Sequence, residues 1–370
     1  MQISFLNQAY DLPAFLKLCQ SEINIKDTAT WKQALYRIFI DWHDTSETLS
    51  VHTSGSTGEA KKIRIQKQYM RASARATLQF LDIKPESWAW LCMSSEYIAG
   101  IMMIVRALEG NLNLWISEPT LHPSVPELNN IALAAMVPMQ ISSWVALESE
   151  GEMLEKRITH LLIGGASIEK SLEMKLSSMT GFALWHTYGM TETISHVALR
   201  RINGSETTSG YAPLPGVQIS INDKDCLVID YPTIGITNLH TNDLAEINTN
   251  HRFTLKGRAD WIINSGGIKV NPESIERKLE GHLPCPFFIT WIPDPLLGQK
   301  IILCLENDGD LLSQICSIWK TIEYQCNKSH LLREICFIDR FKRTETGKIR
   351  REDTRLLAEG QKRQQINAAD

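Results

Sequence analysis

The stretch VHTSGSTGEAKK, Val51 to Lys62, sets seven small or hydroxylated residues in front of two lysines. Gly55 and Gly58 let backbone N–H groups turn toward a ligand. The hydroxyls of Thr53, Ser54, Ser56 and Thr57, with the Lys61 ammonium, add donors and positive charge suited to an anionic phosphate. The spacing is not that of a Walker loop, which needs G-x-x-x-x-G-K-[ST]. Read alone, the loop serves equally as a Ser/Gly-rich surface turn.

Three later stretches carry comparable chemistry. HTYGMTETISH, His186 to His196, follows an apolar run. Its Tyr-Gly turn can present an aromatic face and free backbone groups at the C-terminal end of a strand, where α/β sheets bind ligands. Glu192, between Thr191 and Thr193, offers a hard oxygen ligand for Mg²⁺, or else belongs to an exposed helix N-cap. Asp243 in TNDLAEI and Arg258 in KGRADWIINSGGIKV can hydrogen-bond a ribose diol from either side, and Gly266-Gly267 allow close approach of a ligand or domain. Separately, those residues also read as a turn acid, a surface arginine and a loop glycine pair. In RTETGKIRR, residues 343–351, a glycine before Lys348 can aim a cation, unless the segment is a solvated basic tail.

Regular elements must hold these loops. From about residue 68, helix-like stretches alternate with short apolar runs: KQYMRASARATLQFL then WAWLCM, YIAGIMMIVRALEG then LNLWI. RITHLLIGGA, SIEKSLEMKLSSM and GFALWHTYG continue the alternation, which predicts an α/β fold with a mainly parallel sheet. Between about 210 and 256, Pro, Gly, Asn and Asp turns separate short β runs, as in a small antiparallel or barrel-like section. The pattern changes again after KGRAD, predicting a boundary near Asp260 and a small α+β domain beyond it.

Composition excludes several function classes. The formal net charge is −4, which argues against a nucleic-acid partner. The most apolar run, Ile98 to Val105, is shorter than the roughly 20 residues of a bilayer span. The first residues carry Asp11 and no basic leader, so a cytoplasmic protein is expected. Eight scattered cysteines form no CxxC pair, and reduced thiols are expected over a metal site or disulfide framework.

Taken in order, TSGSTG-x-A-K, IGGA (163–166), YGMTET, TND, GRAD with SGG-x-K-V, and RT-x-x-GK-x-x-R form a series. From about Thr53 to Arg351 the chain resembles the acyl-adenylate-forming, AMP-binding superfamily, which includes acyl-CoA synthetases, luciferases and peptide-synthetase adenylation domains. The resemblance implies ATP, Mg²⁺ and coenzyme A as reactants. A carboxylate attacks the α-phosphate of ATP to give acyl-AMP and pyrophosphate, and a thiol then displaces AMP. Thr53, Ser54, Gly55, Ser56, Thr57, Gly58 and Lys61 would cradle the β- and γ-phosphates. Gly164, Gly165 and Ala166 would line the adenine and acyl pocket, beside His186, Thr187, Tyr188 and Gly189, with Tyr188 stacking on the base. Thr191 would touch the α-phosphate, Glu192 would bind Mg²⁺, and Asp243 and Arg258 would hold the ribose. Lys348 would bridge the α-phosphate and the acyl oxygen. The implied organisation is an N-terminal AMP-binding domain over 1–257, a hinge over 258–260 centred on Asp260, and a mobile lid domain over 261–370. In the lid's second pose, Gly266, Gly267 and Lys269 would line the thiol's tunnel.

Within the superfamily, the chain is most similar to o-succinylbenzoate–CoA ligases of menaquinone biosynthesis. An arginine at the offset of Arg106 in YIAGIMMIVRAL suits a substrate whose second carboxylate stays unreacted. Ser195 fits the same pattern, and Tyr97 and His196 are further pocket candidates. The competing reading of Arg106 is a surface residue on an amphipathic helix. The section before the phosphate loop is much shorter than in most superfamily members, as in compact bacterial o-succinylbenzoate ligases. TND replaces the commoner Thr-Gly-Asp, and Ala60 stands where Pro is usual. Other implied possibilities are another aryl- or acyl-CoA ligase, a stand-alone adenylation enzyme loading a carrier protein, or a nucleotide-binding regulator. A homodimer is compatible with all of them.

Overall fold

The computed structural model describes residues 1–52, 62–128, 130–146, 154–205, 207–208, 210–307, 315–325, 332–343, 349–361 and 363–365. Thr53 to Lys61 and Lys348 lie outside the described residues. The loop's flanks do not: β3 (Thr48–His52) and β4 (Lys62–Gln66) form a separate antiparallel hairpin in which His52 pairs with Lys62.

Before that hairpin, β1 (Gln2–Phe5) turns into β2 (Gln8–Asp11) through Leu6 and Asn7, both at positive φ, the backbone that a two-residue hairpin requires. Asp11 then caps α1 (Leu12–Glu22) by accepting from the Ala14 N–H at 2.8 Å. After α2 (Thr30–His43) come α3 (Lys67–Phe80), β5 (Trp88–Leu91), α4 (Ile98–Glu109) and β6 (Asn113–Ile116). Next follow β7 (Ile131–Met136), α5 (Pro138–Val145), β8 (Ile158–Ile163) and α6 (Lys170–Ser178). The series closes with β9 (Ala183–Gly189), β10 (His196–Arg201) and β11 (Ala212–Pro213).

Nine of these strands form one sheet in the order β11-β10-β9-β8-β7-β5-β6-β1-β2. Every pair from β9 through β1 is parallel, and antiparallel pairs finish both margins. The expected α/β fold, a large sheet flanked by helices, is thus present. The order reverses at β5, which has β6 on one side and β7 on the other, and ligand crevices open at such switch points. Alternate side chains of β5 and the residue after it feed two cores. Ala89 and Leu91 pack with α1 to α4, whereas Trp90 and Cys92 pack with α5 and α6. Cys19, Cys92, Cys226, Cys304 and Cys336 lie buried as thiols.

The turn-rich section folds as the expected antiparallel sheet: β12 (Gln218–Ile221), β13 (Cys226–Tyr231), β14 (Ile236–Ile247) and β15 (Phe253–Arg258). A mixed sheet follows, built from β16 (Ile263–Ser265), β17 (Ile268–Val270), β18 (Phe287–Asp294), β19 (Gly298–Glu306), β20 (Leu332–Ile338) and β21 (Arg363–Gln365). It carries α7 (Pro272–Leu279), α8 (Ile315–Gln325) and α9 (Arg351–Gly360). Its two buried clusters draw on residues between Ile263 and Ala358 alone. Among the described residues, no helix is long and apolar enough to cross a membrane.

Candidate active site

Two of the glycine motifs sit side by side at the C-terminal ends of parallel strands. β8 ends at Ile163, whose register partner in β9 is His186, and runs straight into Gly164, Gly165 and Ala166. A Cβ on Gly164 would lie 2.3 Å from Thr187 Oγ1, and Gly165 has φ +86°, so neither position accepts a side chain without strain. At the end of β9, a Cβ on Gly189 would meet the Ser195 carbonyl oxygen at 2.4 Å. The chain folds back that sharply because residues 190–195 form a turn into β10; no helix begins there, which removes the N-cap reading. Wholly buried Thr193 organises this turn: its hydroxyl accepts from the Met190 N–H at 2.9 Å and donates to the Ser195 carbonyl at 2.8 Å. Thr191 is left half-buried and Glu192 exposed.

His186 points from the same strand end. Its Nε2 donates to the Ala166 carbonyl at 3.3 Å, so Nδ1 accepts from the Tyr211 hydroxyl at 2.8 Å. Burial, followed by the Arg200 cation, holds the imidazole neutral down to a pKa of about 4. Arg200 is itself paired with Glu173 at 2.6 Å.

Tyr188, the neighbour two positions on, donates to Asp243 Oδ2 at 2.6 Å while its ring packs edge-on against Phe253. Burial and the Asp243 carboxylate raise its phenol well above the ordinary range. Asp243 and Arg258 are direct register partners on β14 and β15, and Arg258 Nη1 meets Asp243 Oδ1 at 3.2 Å. Arg258 also grips Asp260 through Nε at 2.9 Å and Nη2 at 2.7 Å. The hydrogen bond to Asp260 is the main reason its guanidinium is held above the usual value. The Arg258 N–H donates to Glu273 at 2.6 Å, and its guanidinium lies 5.5 Å from the Trp261 ring, which Arg351 approaches at 4.4 Å. Asp260 occupies the single 3₁₀ turn Ala259–Trp261 between β15 and β16.

Gly266 and Gly267 form the two-residue turn of the β16–β17 hairpin, with φ of 57° and 86°. Lys269 stands exposed on β17.

The acid-pocket candidates divide. Arg106 lies on the last turn of α4, whose residues Gly100 to Ala107 are all buried. Only 2% of Arg106 is exposed, so the surface reading is wrong: α4 is buried around its circumference rather than amphipathic. Arg106 Nη2 donates to Ser195 Oγ at 2.7 Å and faces His196 Nδ1 at 3.4 Å, while Nε has no partner. No carboxylate pairs with Arg106 among the described residues, and desolvation lowers its pKa to about 10. Tyr97 stands at the N-cap position of α4, about 13 Å along the helix from Arg106.

These strand-end loops and their pairing lead to one family. The AMP-binding enzyme model matches residues 41–230. The chain belongs to the AMP-binding enzyme family. Related sequences include 2-succinylbenzoate–CoA ligases of Salmonella typhimurium, 28% identical over 69% of this chain and 57% of that protein, and of Escherichia coli, 25% identical over 73% and 60%. The chain thus spans less than two thirds of the length of these curated relatives. Among solved structures, an AMP-forming acyl-CoA synthetase/AMP-acid ligase II-like protein of Dyadobacter fermentans is 32% identical, with a TM-score of 0.61 over 92% of this chain and 98% of that one. The o-succinylbenzoate coenzyme A synthetase of Bacillus subtilis in complex with ATP and magnesium has the same fold, with a TM-score of 0.63 at 17% identity over 83% and 69%.

In this AMP-binding enzyme, no cluster of three or more metal-ligating side chains occurs among the described residues. A lone exposed Glu192 fits Mg²⁺, which usually binds through one or two carboxylates together with substrate phosphates and waters. Sequence reasoning missed Tyr211 and Thr77. Each acts through a distant partner that the sequence does not announce, Tyr211 through His186 across 25 residues and Thr77 through His196 across 119.

Proposed function

We propose that the chain is an ATP-dependent acid–thiol ligase working in the cytoplasm on a diacid of the 2-succinylbenzoate type, the substrate in the names of its relatives. The observation that carries the substrate class is Arg106: a guanidinium buried without a counter-charge and with an unpaired Nε. A solitary buried cation is costly, and an anionic ligand group offsets that cost.

One carboxylate oxygen of the acid attacks the α-phosphorus of ATP, and the bond to pyrophosphate breaks. Such chemistry asks for positioning and charge neutralisation rather than covalent participation. Thr191 and Lys348 are assigned to the α-phosphate, residues 53–61 to the departing phosphates, and Glu192 to Mg²⁺, which neutralises phosphate charge when bound. Gly164 to Ala166 with Tyr188 form the nucleotide wall. Asp243, oriented by the Tyr188 hydroxyl and Arg258, accepts from the ribose diol. The thiol of coenzyme A then attacks the acyl carbon and AMP leaves. Residues 1–257, 258–260 and 261–370 serve as main domain, hinge and lid. Gly266, Gly267 and Lys269 belong to the thiol's path, so that one site serves two reactions in turn.

Pyrophosphate release across a panel of acids, with and without coenzyme A, tests the reading. Release with 2-succinylbenzoate, yielding its CoA thioester, is expected. Better turnover of benzoate or fatty acids would point to another acyl-CoA ligase, and no release with any acid would end the ligase reading.

A further inference from the structure

Helix α3 carries Ser73 and Thr77 one turn apart, both wholly buried beside Met70 and Ala74. The Ser73 hydroxyl has no hydrogen-bond partner there, whereas that of Thr77 has two. The Thr77 hydroxyl donates to the Ser73 carbonyl at 3.2 Å, and its oxygen lies 3.0 Å from His196 Nε2. With its single proton committed, Thr77 accepts from the imidazole, so Nε2 carries the ring hydrogen. The opposite side of the ring requires the same tautomer. Nδ1 faces Arg106 Nη2 at 3.4 Å, and a guanidinium has donors only. Ser195 Oγ completes the set, accepting from Nη2 at 2.7 Å. In the other tautomer, an Nδ1–H would oppose the guanidinium N–H, donor against donor.

We propose that Thr77 is the positioning residue for acid specificity: by fixing His196 as the Nε2–H tautomer, it keeps an acceptor toward Arg106 and holds the guanidinium where it meets the substrate's second carboxylate. This rests on the reading of Arg106 given above. Burial and the adjacent Arg106 cation keep His196 neutral, which suits a ring acting by tautomer rather than by charge.

The test is Thr77→Val, which keeps the shape of the side chain and removes its hydroxyl. Imidazole ¹⁵N spectra should show a single Nε2–H tautomer for His196 in the wild type and a mixed or Nδ1–H population in the variant. KM for 2-succinylbenzoate should rise roughly 3- to 10-fold, the loss expected for one hydrogen bond, with kcat within about twofold. Benzoylpropionate, the same acid without its ring carboxylate, should show no change, and Thr77→Ser should restore the wild-type values. If Thr77→Val does not fold, Thr77→Ala carries the same test on a good helix former. An unchanged tautomer, or an equal KM rise for both acids, would overturn the proposal. Arg106→Met separates the two levels. If it leaves the preference for the diacid intact, the reading of Arg106 fails. If it abolishes the preference while Thr77→Val does not, only the role of Thr77 fails.

Discussion

Arg106 and Arg258 are two arginines of one candidate site in opposite electrostatic settings. Arg106 is buried, touches only neutral acceptors, and has its pKa lowered by desolvation. Arg258 is partly exposed, holds two carboxylates, and is shifted upward. On the proposed function, the first keeps its charge for a substrate carboxylate. The second has its charge met by Asp243 and Asp260, and on the same proposal orders acceptors for the ribose diol. Burial without a counter-ion, rather than the presence of an arginine, is what distinguishes an anion reader from a scaffold cation.

The largest effect should come from Arg106→Met. Removing the charge should lower kcat/KM for the diacid by about 10² to 10³, as expected for truncating one partner of a buried charged contact. Unfolding in denaturant should meanwhile show a gain of roughly 1 to 4 kcal/mol, because an apolar side chain replaces a solitary buried cation. A loss of both activity and stability would break the comparison.

The imidazoles beside the arginines sharpen it. His186 has a folded pKa of about 4 against an ordinary 6.5, so between those values the unfolded chain binds more protons than the folded one. Stability therefore falls as pH drops from about 6.5 to 4, by roughly 2 to 3 kcal/mol from this ring. Urea unfolding of wild type and His186→Gln across that window should show the shallower dependence in the variant.

Tyr188→Phe leaves Asp243 Oδ2 without its donor, and a hydrogen bond to a charged group contributes about 1.5 to 3 kcal/mol. The KM for ATP should rise by roughly tenfold or more, with the acid's KM unchanged. The smallest effect belongs to Asp260→Asn, which weakens a partly exposed pair. Its stability change, read by thermal unfolding, should stay below about 1 kcal/mol. A change as large as that of Arg106→Met would mean that Arg258 depends on its partners far more than its exposure implies.

What was legible in the sequence follows the range of the interactions. The α3, α4, β5 and β8 segments announce themselves by local periodicity, and the strand-end glycines by the backbone that they alone permit. β1 and β2 gave no such signal. β1 is a four-residue strand whose parallel partner, β6, begins more than 100 residues later, so its place in the large sheet depends on a distant contact. Arg106 was ambiguous for the same reason. A helix covered by α3 and the sheet has no exposed face to reveal its orientation, and one charge in an apolar run reads equally well outward or inward. The Gly266-Gly267 pair read only as a loop pair or a point of close approach, and the structure makes it the turn of the β16–β17 hairpin.

A specificity ratio decides whether Arg106 reads a second carboxylate. Pyrophosphate release should be measured with 2-succinylbenzoate and with benzoylpropionate, in wild type and in Arg106→Met. A preference for the diacid of about 10² or more is expected in the wild type, collapsing to near unity in the variant. A preference that survives loss of the guanidinium, or a wild type that does not distinguish the two acids, would contradict it.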